Sequence, residues 1–395
     1  MTTGGFSPKR LTRVRDVLER HVDAGHGPGA VAIVARRGEV HVEATGTLAF
    51  EGEGSTTPMA ADTICRIASW TKSIVAACAM TLVEDCTLRL NDPVDAFLPE
   101  LADMTVLVDP NGPLDHTVPA KRPVTLRDLL TCRLGTGTIL AEPGTVPIAD
   151  ALIALESADD PDEWIRRLGA LPLAYQPGER WMYYIPNIAL GVLVTRATGM
   201  SLDDVLRERI LGPLGMRDTA LSVGRDSAGR LASAYVRDAA TGAFVVEETT
   251  DGLWRRPPAF KAPASGLVST ADDFLAFATA LLHGGTHRGV RILSRPSVTL
   301  MTTDHLTMRQ KASSRFVWPP GFFDDFGWGF GLGITTRRTH LGPSAGSYGW
   351  YGKYGTTWFN DPAEDLTTIL VVQSESWWLP VYLDFWTAAY QAIDD

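Results

Sequence analysis

No stretch of this 395-residue chain approaches the roughly 18 consecutive apolar residues that a membrane-spanning helix needs, so no span and no membrane partner are expected. An excess of positive charge is also missing. The 36 Lys and Arg face 46 Asp and Glu, a net charge of −10, and an acidic chain is repelled by the phosphate backbone of nucleic acids. The N-terminal run MTTGGFSPKR lacks the apolar core of a secretion signal, which predicts a cytoplasmic protein. Cysteine is scarce. Cys65, Cys78, Cys86 and Cys132 show no CxxC spacing, which excludes a thioredoxin-like pair or a zinc cage and leaves reduced packing residues. The histidines form no HExxH, and His283 and His287 are separated by Gly284-Gly285, which breaks any helix between them. A glycine-rich phosphate loop is absent as well. Neither cofactor nor metal is expected, and the expected partner is a small-molecule substrate; the oligomeric state is left open.

What remains is an ordinary globular composition, with 45% hydrophobic and 21% charged residues. The length allows two or three domains or one large composite fold. Leu11, Val14, Val17, Leu18 and Val22 recur at helical spacing and predict an amphipathic helix over 8–25. Apolar runs at 30–35 and 40–44, joined by Arg36-Arg37-Gly38-Glu39, predict a hairpin. Helices are expected over 69–86, 124–130, 150–171, 186–200 and 201–216, with a long loop at 105–123. Strand character returns at 267–270, 330–335, 355–359 and 366–373, with helices over 271–283 and 379–393. Sheet-forming ends around a helical middle predict a discontinuous sheet domain, 1–68 and 230–395. A mostly helical domain, 69–229, is inserted, and the active site lies in the cleft between them.

Two motifs offer a nucleophile. In Ser69-Trp70-Thr71-Lys72, the serine and lysine stand three apart, on one face of a helix, so the amine can take the hydroxyl proton. A helix N-terminus also presents free N–H groups to an oxyanion. The bare four-residue pattern is common by chance, and its plain alternative is a surface helix. The rival is Gly342-Pro343-Ser344-Ala345-Gly346, a literal Gly-x-Ser-x-Gly. That motif needs a following helix and a later histidine. Here SYGWYGKYG follows, and the last histidine, His340, precedes Ser344, so Ser344 reads as a loop serine.

Context favours Ser69. Arg66–Ser73, with Leu90-Asn91-Asp92-Pro93 downstream, resembles the nucleophile region of the serine β-lactamase and penicillin-binding-protein superfamily. Within it, the chain is most similar to class C β-lactamases and family VIII carboxylesterases. Val124–Thr131, Pro177–Tyr184, Ser265–Asp273 and Gly349–Gly355 match further family segments in the expected order, from about residue 8 to about 390. The resemblance implies an α+β fold, β-lactamase-like, with an antiparallel sheet flanked by helices plus the inserted helical domain. It implies Ser69 as nucleophile, Lys72 and Tyr183 as proton-transfer groups, and the Ser69 and Lys353 N–H groups as oxyanion hole. Two departures point away from lactams. Ile185 replaces the family's asparagine after the tyrosine, and Trp350-Tyr351-Gly352 replaces Lys-Thr-Gly. Losing that lysine removes a cation suited to a carboxylate, while Trp350 offers a flat apolar wall and Gly352 allows close approach of the backbone.

The expected activity is therefore a serine carboxylesterase acting on short or medium acyl esters. An acyltransferase or an amide or β-lactam hydrolase on the same site is the alternative. A catalytically dead scaffold is disfavoured, because Ser69, Lys72 and Tyr183 all survive. Tyr184, Ile185, Trp350, Tyr351 and Gly352 are the expected substrate contacts, with Trp254, Trp318 and Trp328 as candidates to fold over the cleft. Two routes for the proton stay open: a Tyr183 phenolate favoured by a Lys72 ammonium, or a neutral Lys72 that takes it directly.

Overall fold

The computed structural model describes residues 2–158, 160–249, 252, 254, 260, 263–314, 321–375 and 380–395. Its centre is a seven-stranded antiparallel sheet drawn from both ends of the chain. The N-terminal end supplies β1 (Gly29–Arg36) and β2 (Glu39–Gly46). The C-terminal part supplies β3 (Phe326–Trp328), β4 (Gly333–Thr335), β5 (Tyr348–Tyr351), β6 (Thr357–Asp361) and β7 (Leu366–Val371). The order across the sheet is β3-β4-β5-β6-β7-β1-β2. The expected hairpin forms, with Arg37 and Gly38 both at positive φ (50° and 82°), the turn whose twist matches paired strands.

β1 is a central strand and is buried on both faces. Its odd and even residues serve two cores, as a period of two requires. Ala30, Ala32 and Val34 face a cluster with Leu11, Val14 and Leu18 of α1 (Pro8–Asp23) and with Phe385 and Trp386 of the C-terminal helix, Val381–Tyr390. Val31 and Ile33 face the larger core, which includes α2 (Thr71–Glu84). α2 is buried from Thr71 to Leu82, so it is apolar nearly all round rather than striped. α3 (Leu126–Leu130) is held by a Thr125–Asp128 capping box, and α4 (Ile185–Thr198) ends at Gly199 in the left-handed region.

Several expectations need correcting. The helix expected over 150–171 is two, Pro147–Ala154 and Pro161–Gly169, because Pro161 cannot continue a helix but starts one well. The segment 105–123 is not all loop: Thr105–Leu107 pairs with Thr117–Pro119. The run 201–216 carries a π-turn at Arg207–Leu211. Cys65, Cys78 and Cys132 are buried thiols as expected, but Cys86 is exposed. No single described helix is long and apolar enough to cross a membrane.

Candidate active site

Ser69 sits in a short 3-10 turn, Ala68–Trp70, that leads into α2. Ala68 has φ 45°, a left-handed conformation that costs a non-glycine residue on the order of 1–3 kcal/mol and that concentrates at functional turns. The turn is pinned on several sides. Trp70 Nε1–H donates to Trp350 O (2.9 Å), tying it to β5. Ser73 Oγ donates to Trp70 O (2.7 Å), and the Leu267 N–H donates to Thr71 Oγ1 (3.2 Å). Gly331 packs so close that a Cβ there would lie 2.6 Å from Lys72 O.

One helical turn on, Lys72 is 1% exposed. Its Nζ lies 2.9 Å from Ser69 Oγ and 2.8 Å from Ala264 O. The Tyr183 and Tyr184 rings stand 4.5 and 5.2 Å from it. Burial lowers this amine from its ordinary value to about 7. Near neutral pH a large fraction is thus uncharged, and in that form the Ser69 hydroxyl can donate to Nζ.

Tyr183 arrives from the segment before α4. Its Oη accepts the Trp350 Nε1–H (2.6 Å) and is hydrogen-bonded to Ser69. Burial pushes the phenol well above its ordinary value, against the lowering by those two hydrogen bonds. Tyr183 therefore stays protonated and can donate to Ser69 Oγ. Burial therefore disfavours the phenolate route.

The sequence-based site residues separate into two groups. Ser69, Tyr183, Trp350, Tyr351, Gly352 and Lys353 line one cavity of about 740 Å³. Trp350 is more than a wall, because its indole N–H engages the tyrosine. Gly352 N–H donates to Thr356 O (2.8 Å), and the next amide, Lys353, makes no backbone hydrogen bond among the described residues. Ser69 lies in the first turn of its helical run, where N–H groups have no acceptor within the helix. A Cβ at Gly352 would come within 2.8 Å of Ile67 O, so the glycine lets the strand end pack against the Ser69 turn. The Lys353 side chain points to Glu247.

Tyr184 and Ile185 are not on this cavity wall. Tyr184, with φ 77°, turns its ring over Lys72 and its hydroxyl to Ser265 (3.4 Å). Ile185 begins α4 with its side chain in the core. Trp328 is fully buried behind Trp350, their rings 4.6 Å apart and perpendicular (87°). Trp254 donates to Gly266 O (2.7 Å) away from the cavity, and Trp318 lies outside the described residues. Ser344 is in the loop between β4 and β5, where its N–H donates to Asp361 (2.8 Å) and its Oγ accepts from Arg338; a strand follows it, not a helix.

Sequence reasoning missed much of the cavity. Phe322, Phe326, Tyr382 and Trp386 line it. His340 joins them, stacked on Trp386 with ring centroids 5.4 Å apart. None carries a motif; only their aromatic character marked them. The two cations on the wall are already paired, Arg337 with Asp325 (2.6 Å) and Lys353 with Glu247.

A model of the Beta-lactamase family matches residues 14–389. Protein Rv1367c of Mycobacterium tuberculosis is 39% identical over 356 residues, covering 89% of this chain and 87% of that protein. Esterase EstB of Burkholderia gladioli is 30% identical over 367 residues, covering 88% and 86%. Among solved structures, EstCE1, described as a hydrolase with promiscuous acyltransferase activity, superposes with a TM-score of 0.80. It is 24% identical, covers 97% of this chain and 99% of that one, and shows the shared fold.

Proposed function

The chain belongs to the β-lactamase family, and within it we propose a serine carboxylesterase that works through an acyl-enzyme on Ser69. The observation that carries this reading is the 2.9 Å contact between Ser69 Oγ and a buried Lys72 whose amine is half-neutral near pH 7. Neutral Lys72 takes the hydroxyl proton as Oγ attacks the ester carbonyl. The Ser69 and Lys353 N–H groups receive the oxyanion. Tyr183, a phenol placed on Oγ and braced by Trp350, relays the proton to the departing alkoxide, so the alcohol leaves neutral and the acyl group stays on Ser69. Water then attacks the acyl carbonyl, gives up a proton along the same route, and frees the acid.

Two features support an ester over a lactam. The wall bears no unpaired cation among its described residues, since Arg337 and Lys353 are both paired with carboxylates. A penicillin or peptide carboxylate would have to break one of these pairs. Six aromatic side chains, Phe322, Phe326, Trp350, Tyr351, Tyr382 and Trp386, give the cavity a large apolar surface suited to an acyl or alcohol group, and Asp325 and Glu375 on the same wall disfavour a carboxylate further. The test is a comparison of p-nitrophenyl butyrate with a chromogenic cephalosporin at pH 8. We expect ester turnover to exceed cephalosporin turnover by on the order of 10²-fold or more, the size expected when a buried polar group goes unpaired. Faster cephalosporin turnover would reverse the assignment.

Acyl transfer is the second reading. A cavity of about 740 Å³ has room for an acceptor alcohol beside a short acyl group, and apolar walls slow competing hydrolysis by excluding water. Product analysis with added alcohol separates the two: transfer gives a new ester, hydrolysis only the acid.

A further inference from the structure

The charges on the cavity wall do not cancel. Among the described residues, Asp325, Arg337, Lys353 and Glu375 bring charged side chains to it. Burial lowers His340 from its ordinary value, which keeps that ring uncharged near pH 7. Arg337 holds Asp325 (2.6 Å), and Lys353 holds Glu247, which stands outside the wall on the strand Phe244–Glu248. No described cation pairs with Glu375. Its half-buried carboxylate accepts one long hydrogen bond, from the Arg237 N–H (3.4 Å). The backbone brings it to the Ser69 end of the cavity. Two residues earlier, the Gln373 side chain accepts from the Arg66 N–H (2.8 Å) and donates to Arg66 O (3.1 Å), and Arg66 stands three residues before Ser69. The Glu375 N–H itself donates to Tyr235 O (2.8 Å), on the strand paired with the one that carries Glu247. Beside Gly352 on the same wall, the Tyr351 ring touches those of Tyr382 (5.5 Å) and Trp386 (6.2 Å), which are 5.3 Å from each other. Aromatic faces attract a cation, the more so where water is excluded.

We propose that this cavity selects esters bearing an alkylammonium group, with Glu375 as the residue that sets the preference. The proposal deepens the carboxylesterase reading and rests on it. The rings take the apolar body of such an ester and face its cation, and Glu375 supplies the uncompensated charge. A neutral ester of the same shape gains only the apolar contact, and a carboxylate is repelled. A carboxylate about 4 Å from a cation favours binding by about fivefold even at the screening of bulk water, and by more where solvent is excluded.

Charge is separated from shape by pairs of esters in which a quaternary nitrogen is replaced by carbon. Butyrylcholine is compared with 3,3-dimethylbutyl butyrate for a cation on the alcohol side. The p-nitrophenyl esters of 4-(trimethylammonio)butyrate and 5,5-dimethylhexanoate do the same for the acyl side. The readout is the ratio of kcat/KM, cationic over neutral, at low ionic strength. In at least one pair we expect a ratio of about fivefold or more, lowered about fivefold by Glu375→Gln. Glu19→Gln removes the same charge from the exposed face of α1 and should leave the ratio within about twofold, since screened charges act only at short range. Ratios at or below one in both pairs overturn the proposal. So does a ratio that folded Glu375→Gln leaves unchanged, or one that Glu19→Gln lowers equally. The Glu375 carboxylate has a single long hydrogen bond to lose; should Glu375→Gln still fail to fold, Glu375→Ala is read in the same way. Absence of turnover of all four esters by folded protein contradicts the carboxylesterase reading instead. Calorimetric binding of the same pairs to Ser69→Ala then reads the preference, and its loss on adding Glu375→Gln, without turnover.

Discussion

Lys72 is where burial becomes chemistry. An exposed lysine near pH 7 is almost wholly charged and useless as a base. Here desolvation lowers it to about 7. The sign follows directly: the reactive form is the amine, so protonation below that value removes it. For an uncharged ester, kcat/KM should rise about tenfold per unit up to pH 7 and then level off. A flat profile between pH 5.5 and 8 would show that the titration of Lys72 does not control the rate. Tyr183 carries the opposite shift, and its proposed use is as a proton donor and relay. Tyr183→Phe keeps the ring over Lys72 but removes the hydroxyl shared with Ser69 and Trp350. A loss of at least about 10²-fold in kcat/KM is expected, with the acid limb still near 7; a near-normal rate would mean that Lys72 works alone.

At the scale of elements, the proposed catalysis depends on how the Ser69 turn meets the sheet. The turn Ala68–Trp70 is held in a strained conformation, and its link to β5 is the indole of Trp70 on the Trp350 carbonyl. That contact sets the distance between the two expected oxyanion donors, one on the turn and one just past β5. Trp70 is fully buried. Trp70→Phe keeps most of the apolar volume and leaves the Trp350 carbonyl without this donor, a cost of about 1–3 kcal/mol. Stability by urea titration should fall by that amount, and acylation should slow more than substrate binding weakens. A variant with unchanged stability and rate would show that the indole does not set the turn. The same scale explains Ile185. At the position where the family pattern has a polar side chain, this chain places a core residue at the start of α4, while Asn187, further along the same turn, meets Cys132.

For the molecule as a whole, the sequence carried local patterns well and convergences poorly. The hairpin, α1 and α2 were readable because their periodicity and turn residues are local. Ser69 and Lys72 were readable because helix geometry alone brings residues three apart together. Tyr183, Trp350 and Lys353 came only from the resemblance, since no local rule joins residues 183 and 350, which meet at 2.6 Å. That Phe322, Phe326, Tyr382 and Trp386 form the aromatic wall was not legible. It assembles when β3 and the C-terminal helix pack around β5, and each ring alone looks like core. The dry environment of Lys72 was equally hidden, because burial is a property of the folded chain. The central claim is that this fold makes Ser69, and no other serine, a nucleophile. Intact-protein mass spectrometry after treatment with a fluorophosphonate, followed by peptide mapping, tests it most directly. A single adduct on Ser69, absent in folded Ser69→Ala, is the predicted result; an adduct on Ser344, or none on folded protein, would contradict it.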